Sequence, residues 1–435
     1  MSKPNPTNGK ARKILFGVFA VALAVFCFFC GFFVYSLTLD SEIRSLIRLK
    51  NTVQAQYYEE VTDQDFYGAV FAGVNEKLLD PYSKYMTADE YAQAKSEAAG
   101  NRSGLGLVFL VENAAGKAQM LITRVCGNSP AEKAGIKAGE FLVGFGKNKA
   151  EMQSSVSFDE FSAFLAKRET GEPFYVRLQS GENVRSVEIA KAEYVENYVF
   201  YRTSTASYRF TGNDATTLTQ SGDPLPSLPE NSAYIRLTQF NGEASEEFKK
   251  AMDLFKEQGK SNLVLDLRDN GGGYLHIMQS IASYFCKTSD ENRPIVAIAD
   301  YGKNKEYYKA EGNYYDEYFS AQSRVCVLAD ASTASASEAL MGCMLDYGAI
   351  SYGDICLSER AGVAKTYGKG IMQTTFPFGL VNSDAVKLTT AKILWGKSGN
   401  CIHGRGILQS DGTKSVAESY AGDQEINEAI EKLFY

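Results

Sequence analysis

From Ala233 onward, apolar runs of strand length alternate with segments of helix length, and this alternation restricts the fold more than any other feature. AYIRLTQF precedes EEFKKAMDLFKEQG, and NLVLDL precedes the turn RDNGGG and then YLHIMQSIASYF. PIVAIA, VCVLAD, a helix beginning near Ser335, and AISYG follow. Such an order predicts α/β architecture around a buried sheet. Two strand-to-helix turns within it have unusual compositions. In the first, Asp269-Asn270-Gly271-Gly272-Gly273, glycines at a helix start let backbone amides approach a negative oxygen closely, as an oxyanion hole or a phosphate cradle. An ordinary glycine turn is the competing reading, and the lack of a following Gly-Lys-Ser/Thr argues against a nucleotide. The second runs from Asp330 to Glu338 (DASTASASE), where a serine would sit at a helix N-terminus and meet its positive dipole end. Small polar runs also cap helices routinely.

Composition removes several functions. Hydrophobic residues make up 45% and charged residues 22% of the 435, which excludes wholesale disorder. A net charge of −7 argues against nucleic acid as the main partner. His276 and His403 are the 2 histidines, so a three-histidine metal site is impossible. Of the 8 cysteines, Cys27 and Cys30 lie in an apolar run and the other six are scattered without a Cys-x-x-Cys pair, and no zinc site is read. No metal or organic cofactor is expected.

Residues 1–13 hold four basic residues and no acid, and residues 14–37 (ILFGVFAVALAVFCFFCGFFVYSL) carry no charge. As a helix this run is about 36 Å long, against a hydrocarbon core of about 30 Å. The expectation is a cytoplasmic tail over 1–13 and a retained transmembrane anchor over 14–37. The remainder would lie outside the cell membrane. A cleaved signal peptide is the alternative. Residues 38–100 read as a helical segment, with an N-cap at Thr62 or Asp63 and a second helix in TADEYAQA. The stretch 211–232 reads as an exposed connection, and 301–318 as a surface hairpin or loop.

From Gly104 the pattern changes to short strands, GLGLVFLV and QMLITRV, followed by SPAEKAGIKAGEFLVGFG, FDEFSAFLA and EPFYVRL. This order resembles a circularly permuted bacterial PDZ domain, placed over 101–195. In such domains the loop matching Gly104-Leu105-Gly106-Leu107 offers backbone N–H groups to a peptide's C-terminal carboxylate while the peptide adds a strand. A tight turn into a strand is the plainer reading of the same residues.

The ordered set DPYSKYM, the PDZ-like pattern, YIRLTQF, LVLDLRDNGGG, TASASEALMGCMLDYG, TYGKGIMQT, AVKLTTAKIL and HGRGI resembles the carboxyl-terminal processing (tail-specific) serine protease family over most of 55–435. The resemblance implies an α/β, crotonase-like protease domain over 196–435 in an α+β, multidomain chain. Its nucleophile falls on Ser335, with Ser337 as the neighbouring candidate. Its general base falls on Lys369, with Gln373 positioning it. Oxyanion donors would be the Ala336 amide and one of Gly271, Gly272 and Gly273, and Asp346 would support the fold. Partners would be proteins or peptides with free C-terminal tails, and a homodimer through the helical segment, as in relatives, is an open expectation. A serine hydroxyl needs a base in hydrogen-bond reach, and a lysine can serve only when neutral. Burial must therefore bring its pKa down by roughly 3 from about 10.4. A Ser335–His276 pair is a weaker alternative, and no catalytic role is expected for His403.

The sequence departs from the family pattern in one consequential place. Ser335 and Lys369 are 34 positions apart, about nine more than usual. The excess falls in GDICLSERAGVAK (353–365), read as a surface insertion or a lid. An inactive, protease-like PDZ scaffold that tethers C-termini is the alternative function. A small-ester α/β hydrolase lacks its Gly-x-Ser-x-Gly elbow.

Overall fold

The structure, a computed structural model, describes residues 7–38, 40–114, 117–153, 157–211, 217–288, 293–420 and 422–435. The chain divides after Asp80 into two compact units.

The first unit is helical: α1 (Thr7–Thr38), α2 (Ser41–Gln56) and α3 (Asp63–Lys77). α3 begins at the expected cap. Thr62 Oγ1 accepts from Asp65 N at 3.1 Å and Asp65 Oδ2 accepts from Thr62 N at 2.9 Å, so two of the N–H groups that a helix start leaves open are satisfied. Part of the anchor expected over 14–37 has its side chains outside the described residues. The described side chains, 16–31, cover about 24 Å of helix, short of the core thickness of about 30 Å. Among the described residues no helix is long and apolar enough to cross a membrane.

The second unit opens with β1 (Lys84–Met86), which pairs antiparallel with residues 385–387, and α4 (Ala88–Ala98). The end of the expected helical segment therefore contributes a strand to a distant part of the chain. Residues 101–195 form a module closed at its base by β2 (Asn101–Gly104) paired with β8 (Ala192–Val195). Inside it, β3 (Leu107–Ala114), β4 (Lys117–Val125), β5 (Phe141–Gly146), β6 (Phe174–Ser180) and β7 (Asn183–Ile189) follow one another in an antiparallel sheet. The one-turn helix α5 (Pro130–Lys133) and α6 (Phe158–Ala166) complete the module. Phe145, Phe161, Phe174 and Leu178 fill its core.

β9 (Val199–Arg202), β10 (Ser207–Thr211) and β11 (Thr217–Ser221) form an antiparallel margin. β11 lies inside the connection expected to be exposed, and Leu225 and Leu228, also in it, are buried. Apolar side chains at the end of that polar stretch pin it to the core. Then come β12 (Ser232–Leu237), α7 (Ala244–Glu257), β13 (Asn262–Asp266) and α8 (Leu275–Ala282). β14 (Ile295–Asp300) and β15 (Lys305–Lys309) make a hairpin, and the short α9 (Tyr315–Tyr318) buries Tyr315 in the core rather than leaving 301–318 wholly exposed.

β16 (Val325–Ala329) leads into α10 (Ala336–Asp346), then β17 (Ile355–Arg360) and β18 (Val363–Ala364). β19 (Ile371–Pro377), β20 (Ala385–Trp395), β21 (Lys414–Ala417) and α11 (Gln424–Phe434) finish the chain. β12, β13, β16, β17 and β21 run parallel, each to the next. Their side chains alternate between two apolar layers. Ile235, Leu265, Val327 and Leu357 face α7, α8 and α10, whereas Tyr234, Val264, Cys326 and Cys356 face α11. Burial on both faces is why these strands read as continuous apolar runs. A second sheet, in the order β1-β20-β14-β15 with β19 also on β20, packs against α10 from the other side.

Candidate active site

β13 and β16 are parallel neighbours, with Leu263 opposite Val325, so the turns that leave their C-terminal ends emerge side by side. This is the edge of an open α/β sheet where ligand sites arise. Asn270 locks the turns together. Its carbonyl accepts from Ala334 N and from Ser337 Oγ, both at 3.0 Å, and its side-chain oxygen accepts from Gly272 N at 2.9 Å. Asp330 adds a second lock, accepting from Asp269 N at 3.0 Å and from Ser332 N at 2.9 Å. Burial first, then the nearby charge of Asp269, pushes the Asp330 carboxyl up to about 7. Gly272, at φ 97°, lies so close to the second turn that a Cβ there would stand 2.7 Å from Ser335 Cβ and 2.8 Å from Ala336 N. No residue larger than glycine fits.

Ser335 holds φ 60° and ψ −116°, a conformation that side chains other than glycine rarely adopt. Strain of this kind, at about 1–3 kcal/mol, persists where the surroundings over-determine it. Here Glu338 does so. Fully buried in the first turn of α10, its carboxylate receives four hydrogen bonds. Oε2 accepts from Ser335 N at 3.1 Å and from Lys369 N at 2.8 Å. Oε1 accepts from Thr366 Oγ1 at 2.6 Å and from Gly368 N at 2.8 Å. Burial pushes this carboxyl up, while the four donors oppose that shift. Because one oxygen holds both nitrogens, the Ser335 and Lys369 backbones stand no more than about 6 Å apart, two hydrogen-bond lengths end to end. Tyr367 N also donates to Thr333 O at 3.0 Å. The separation of 34 positions between the two residues is taken up by α10, β17 and the β17–β18 hairpin. The stretch 353–365 is thus a surface feature only at the hairpin tip, where residues 360–363 are exposed. Ile355, Cys356 and Leu357 are buried in the sheet, because the run ICL is an apolar strand.

Lys369 is half-buried, with Nζ 5.1 Å from the centre of the Tyr82 ring, inside cation–π range. Tyr82 OH lies 3.1 Å from Tyr367 OH. Behind the lysine, Gly404 N donates to Gly368 O at 2.8 Å and Ile407 N to Thr366 Oγ1 at 2.8 Å, so the HGRGI turn backs the segment. Gln373 lies on β19 and donates to Thr389 Oγ1 at 3.1 Å across the strand pair. Ser337 is fully buried, whereas Ser335 is partly exposed. Ala336 is the first residue of α10, where a helix leaves its N–H open. Gly272 N is committed to Asn270, which leaves Gly271 and Gly273, both exposed, as the glycines of this turn able to serve an oxyanion. His276 is exposed with its ring tilted against Tyr274, centroids 5.2 Å apart, and His403 is exposed on the HGRGI turn. Asp346 Oδ2 accepts from Lys397 N at 3.0 Å and Ser398 N at 2.9 Å, tying α10 to the end of β20.

In the 101–195 module, Leu105 O accepts from Ala131 N and Gly106 O from Cys126 N. Gly106, at φ 78°, could carry no Cβ, which would meet Ser129 Cβ at 2.2 Å. β3, which follows the Gly104–Leu107 loop, pairs with β4 on one side and is an edge strand of its sheet. α6 runs beside it, with the Phe109 and Phe161 rings 6.0 Å apart.

Sequence reasoning missed two supporting groups. Glu338 carried a signal, since Ser-x-x-Glu at a helix start is capping-box spacing. The other is a buried ionic cluster under the glycine turn. Arg268 donates to Asp266 through Nε and Nη2, at 2.9 and 2.6 Å, and its Nη1 pairs with Glu425 of α11 at 2.7 Å. Burial alone would raise the Asp266 carboxyl, but Arg268 prevails and holds it down at about 2. Glu425 lies more than 150 residues away along the chain, so no local pattern announces it.

Residues 231–410 match the model of peptidase family S41. That stretch is similar to S41 peptidases. A protein described as a CtpA-like serine protease in Staphylococcus saprophyticus is 28% identical over 369 residues, covering 84% of this chain and 64% of the relative. The chloroplastic C-terminal processing peptidase of Tetradesmus obliquus is 27% identical over 319 residues, covering 72% of this chain and 61% of the relative. The chain thus spans less than two thirds of the length of these relatives. A solved S41-type chain of Bacteroides fragilis is 14% identical, with a TM-score of 0.51, covering 86% of this chain and 90% of that one. It shares the mixed α/β fold.

Proposed function

We propose that this S41-like domain is a serine endopeptidase with a Ser335–Lys369 dyad, acting on proteins whose C-terminal tails are held by the 101–195 module. The observation that carries the reading is the Glu338 carboxylate, which holds the backbone of both residues on one oxygen beside a strained strand-to-helix turn. Ser335 Oγ would attack the scissile carbonyl carbon as the Lys369 amine takes its proton. The oxyanion would be met by the Ala336 amide and a glycine-turn amide. Collapse breaks the C–N bond, with the proton passing from Lys369 to the leaving amine, and a water then hydrolyses the acyl ester by the reverse proton path. Neutral Lys369 is required, and a substrate that covers Tyr82 and excludes water favours that form. The free edge of β3, the Gly104–Leu107 turn and the flanking α6 suit an added peptide strand with its carboxylate at the turn. The charge-free run 14–37 with its basic flank supports an anchor that leaves the S41-like domain on the outer side.

The test incubates the full-length chain, Ser335→Ala and Lys369→Ala with an unfolded protein whose C-terminus is free or amidated. The parent alone should cleave, and amidation should slow it. Cleavage by either variant at the parent rate refutes the dyad. Absence of cleavage, with tails still bound, would instead support the tethering scaffold.

A further inference from the structure

On the sheet whose strand β19 begins two residues after Lys369, two lysines face each other. The β1–β20 register sets Lys84 directly opposite Lys387, and the β19–β20 register sets Thr375 on the other flank of Lys387. Like charges opposite one another destabilise a strand pair, and neither ammonium has a carboxylate in ion-pair contact among the described residues. The neighbouring acid, Asp384, is engaged elsewhere. It accepts from Tyr85 OH and from Ala88 N, and as an odd-step neighbour of Lys387 it lies on the opposite face. Burial, then the charge of Lys84, lowers the Lys387 pKa, so the pair stands under tension that an anion would relieve.

The pair lies close to the site. Tyr82, whose ring meets Lys369 Nζ, stands in the turn two residues before Lys84. Side chains alternate along a strand, so Thr375 shares the face of Gln373, and Lys387 that of Thr389, which are joined by a hydrogen bond. β19 begins two residues after Lys369 and, pairing with β20, leaves its other edge open. A polypeptide lying along β19 from the dyad reaches the level of Thr375 and Lys387 after about 20 Å, or about six residues at 3.3 Å each. The path by β1 is shorter, two residues from Tyr82 to Lys84.

We propose that Lys84 and Lys387 form a substrate subsite that takes the carboxylate of an aspartate or glutamate roughly four to six residues from the scissile bond. The proposal rests on the protease reading for the position of that bond, but the pair's affinity for a carboxylate does not. Two lysines flanking one carboxylate supply charge-assisted hydrogen bonds from both sides. Each keeps a flexible stem, so the register of the acid can vary by a residue.

The experiment uses the full-length chain and a series of unstructured peptides sharing one cleavage sequence. A single glutamate is moved stepwise from two to eight residues away on either side, each peptide having a glutamine twin. The expected result is a kcat/KM about tenfold higher for glutamate than for glutamine at one or two adjacent positions on one side. That ratio should fall towards one in 0.5 M salt and in Lys84→Gln/Lys387→Gln. Lys387→Glu should instead prefer a peptide with lysine there, a gain that misfolding cannot produce. A glutamate-to-glutamine ratio of one at every position overturns the subsite. C-terminal amidation of each peptide separates it from the tail carboxylate, because a subsite for side chains keeps its preference on amidated peptides. If nothing is cleaved, the protease reading fails on its own. Fluorescence anisotropy with Ser335→Ala and the same peptide pairs still decides the subsite, and equal affinity for both twins overturns it.

Discussion

Replacing Glu338 by glutamine changes one oxygen to an amide and tests the claim that this carboxylate assembles the site. Four donors converge on the two oxygens. With the amide nitrogen at the Oε2 position, two backbone N–H groups would meet an N–H₂. The less costly placement puts the nitrogen at Oε1, where the Thr366 hydroxyl, already accepting from Ile407 N, can accept a second bond in place of its donation, and Gly368 N is left without a partner. An orphaned buried N–H costs about 1–3 kcal/mol. The bonds kept by Ser335 N and Lys369 N also lose their charge, which halves bonds of that type, at about 1 kcal/mol each. Because burial disfavours the carboxylate from the outset, part of this is offset, and a net loss of about 2–4 kcal/mol is expected. Released from a shared oxygen, Ser335 and Lys369 can drift by an ångström, which is worth about a hundredfold in rate. The measurements are kcat/KM on the unfolded substrate and denaturant unfolding of Glu338→Gln beside the parent. A variant that unfolds at the parent's midpoint and cleaves at its rate would refute the assignment.

Other outcomes separate structural from chemical roles. Ser337→Ala loses one buried hydrogen bond and should unfold about 1 kcal/mol earlier, with kcat/KM within about threefold of the parent. Gly272→Ala should lower kcat/KM at least a hundredfold, because its Cβ displaces Ser335. Asp346→Ala should reduce unfolding free energy by about 1–2 kcal/mol while leaving KM unchanged, as its acceptors serve Lys397 and Ser398 away from the dyad. For pH, burial pushes Glu247 up to about 7 although it accepts from Asn197, Tyr198 and Val199. Folded protein thus holds a proton that unfolded chain releases near pH 4.5, so this contribution to stability is full below that value and is lost as pH rises through about 7. Thermal midpoints should fall between pH 5 and 8, and less steeply in Glu247→Gln.

Local patterns in the sequence carried the parallel strands, both turns and the caps, because each is written in neighbouring residues. ICL in 355–357 was misread for a physical reason: three apolar residues between charged ones lack a period, and only the parallel partners β16 and β21 bury them. Lys84–Met86 was assigned to a helical segment because its strand partner is 300 residues away. The same holds for Glu425, whose meeting with Arg268 is made by α11 docking rather than by spacing. Ser335 and Lys369 were legible as residue types, but the oxygen that gathers their backbones was not, since Glu338 read first as an ordinary member of a helix start.

The Glu338 bridge also bears on where the chain could be cut. Serine and lysine are gathered by noncovalent bonds at Ser335, Thr366, Gly368 and Lys369, so the intervening covalent path is not what holds them in place. The tip of the β17–β18 hairpin, Ala361-Gly362, is exposed and adopts positive φ at both residues. New termini opened there, or a foreign domain spliced in, would leave both halves of the dyad gripping the same carboxylate. The domain could therefore work as two chains that reassemble, the proposed nucleophile on one and the proposed base on the other.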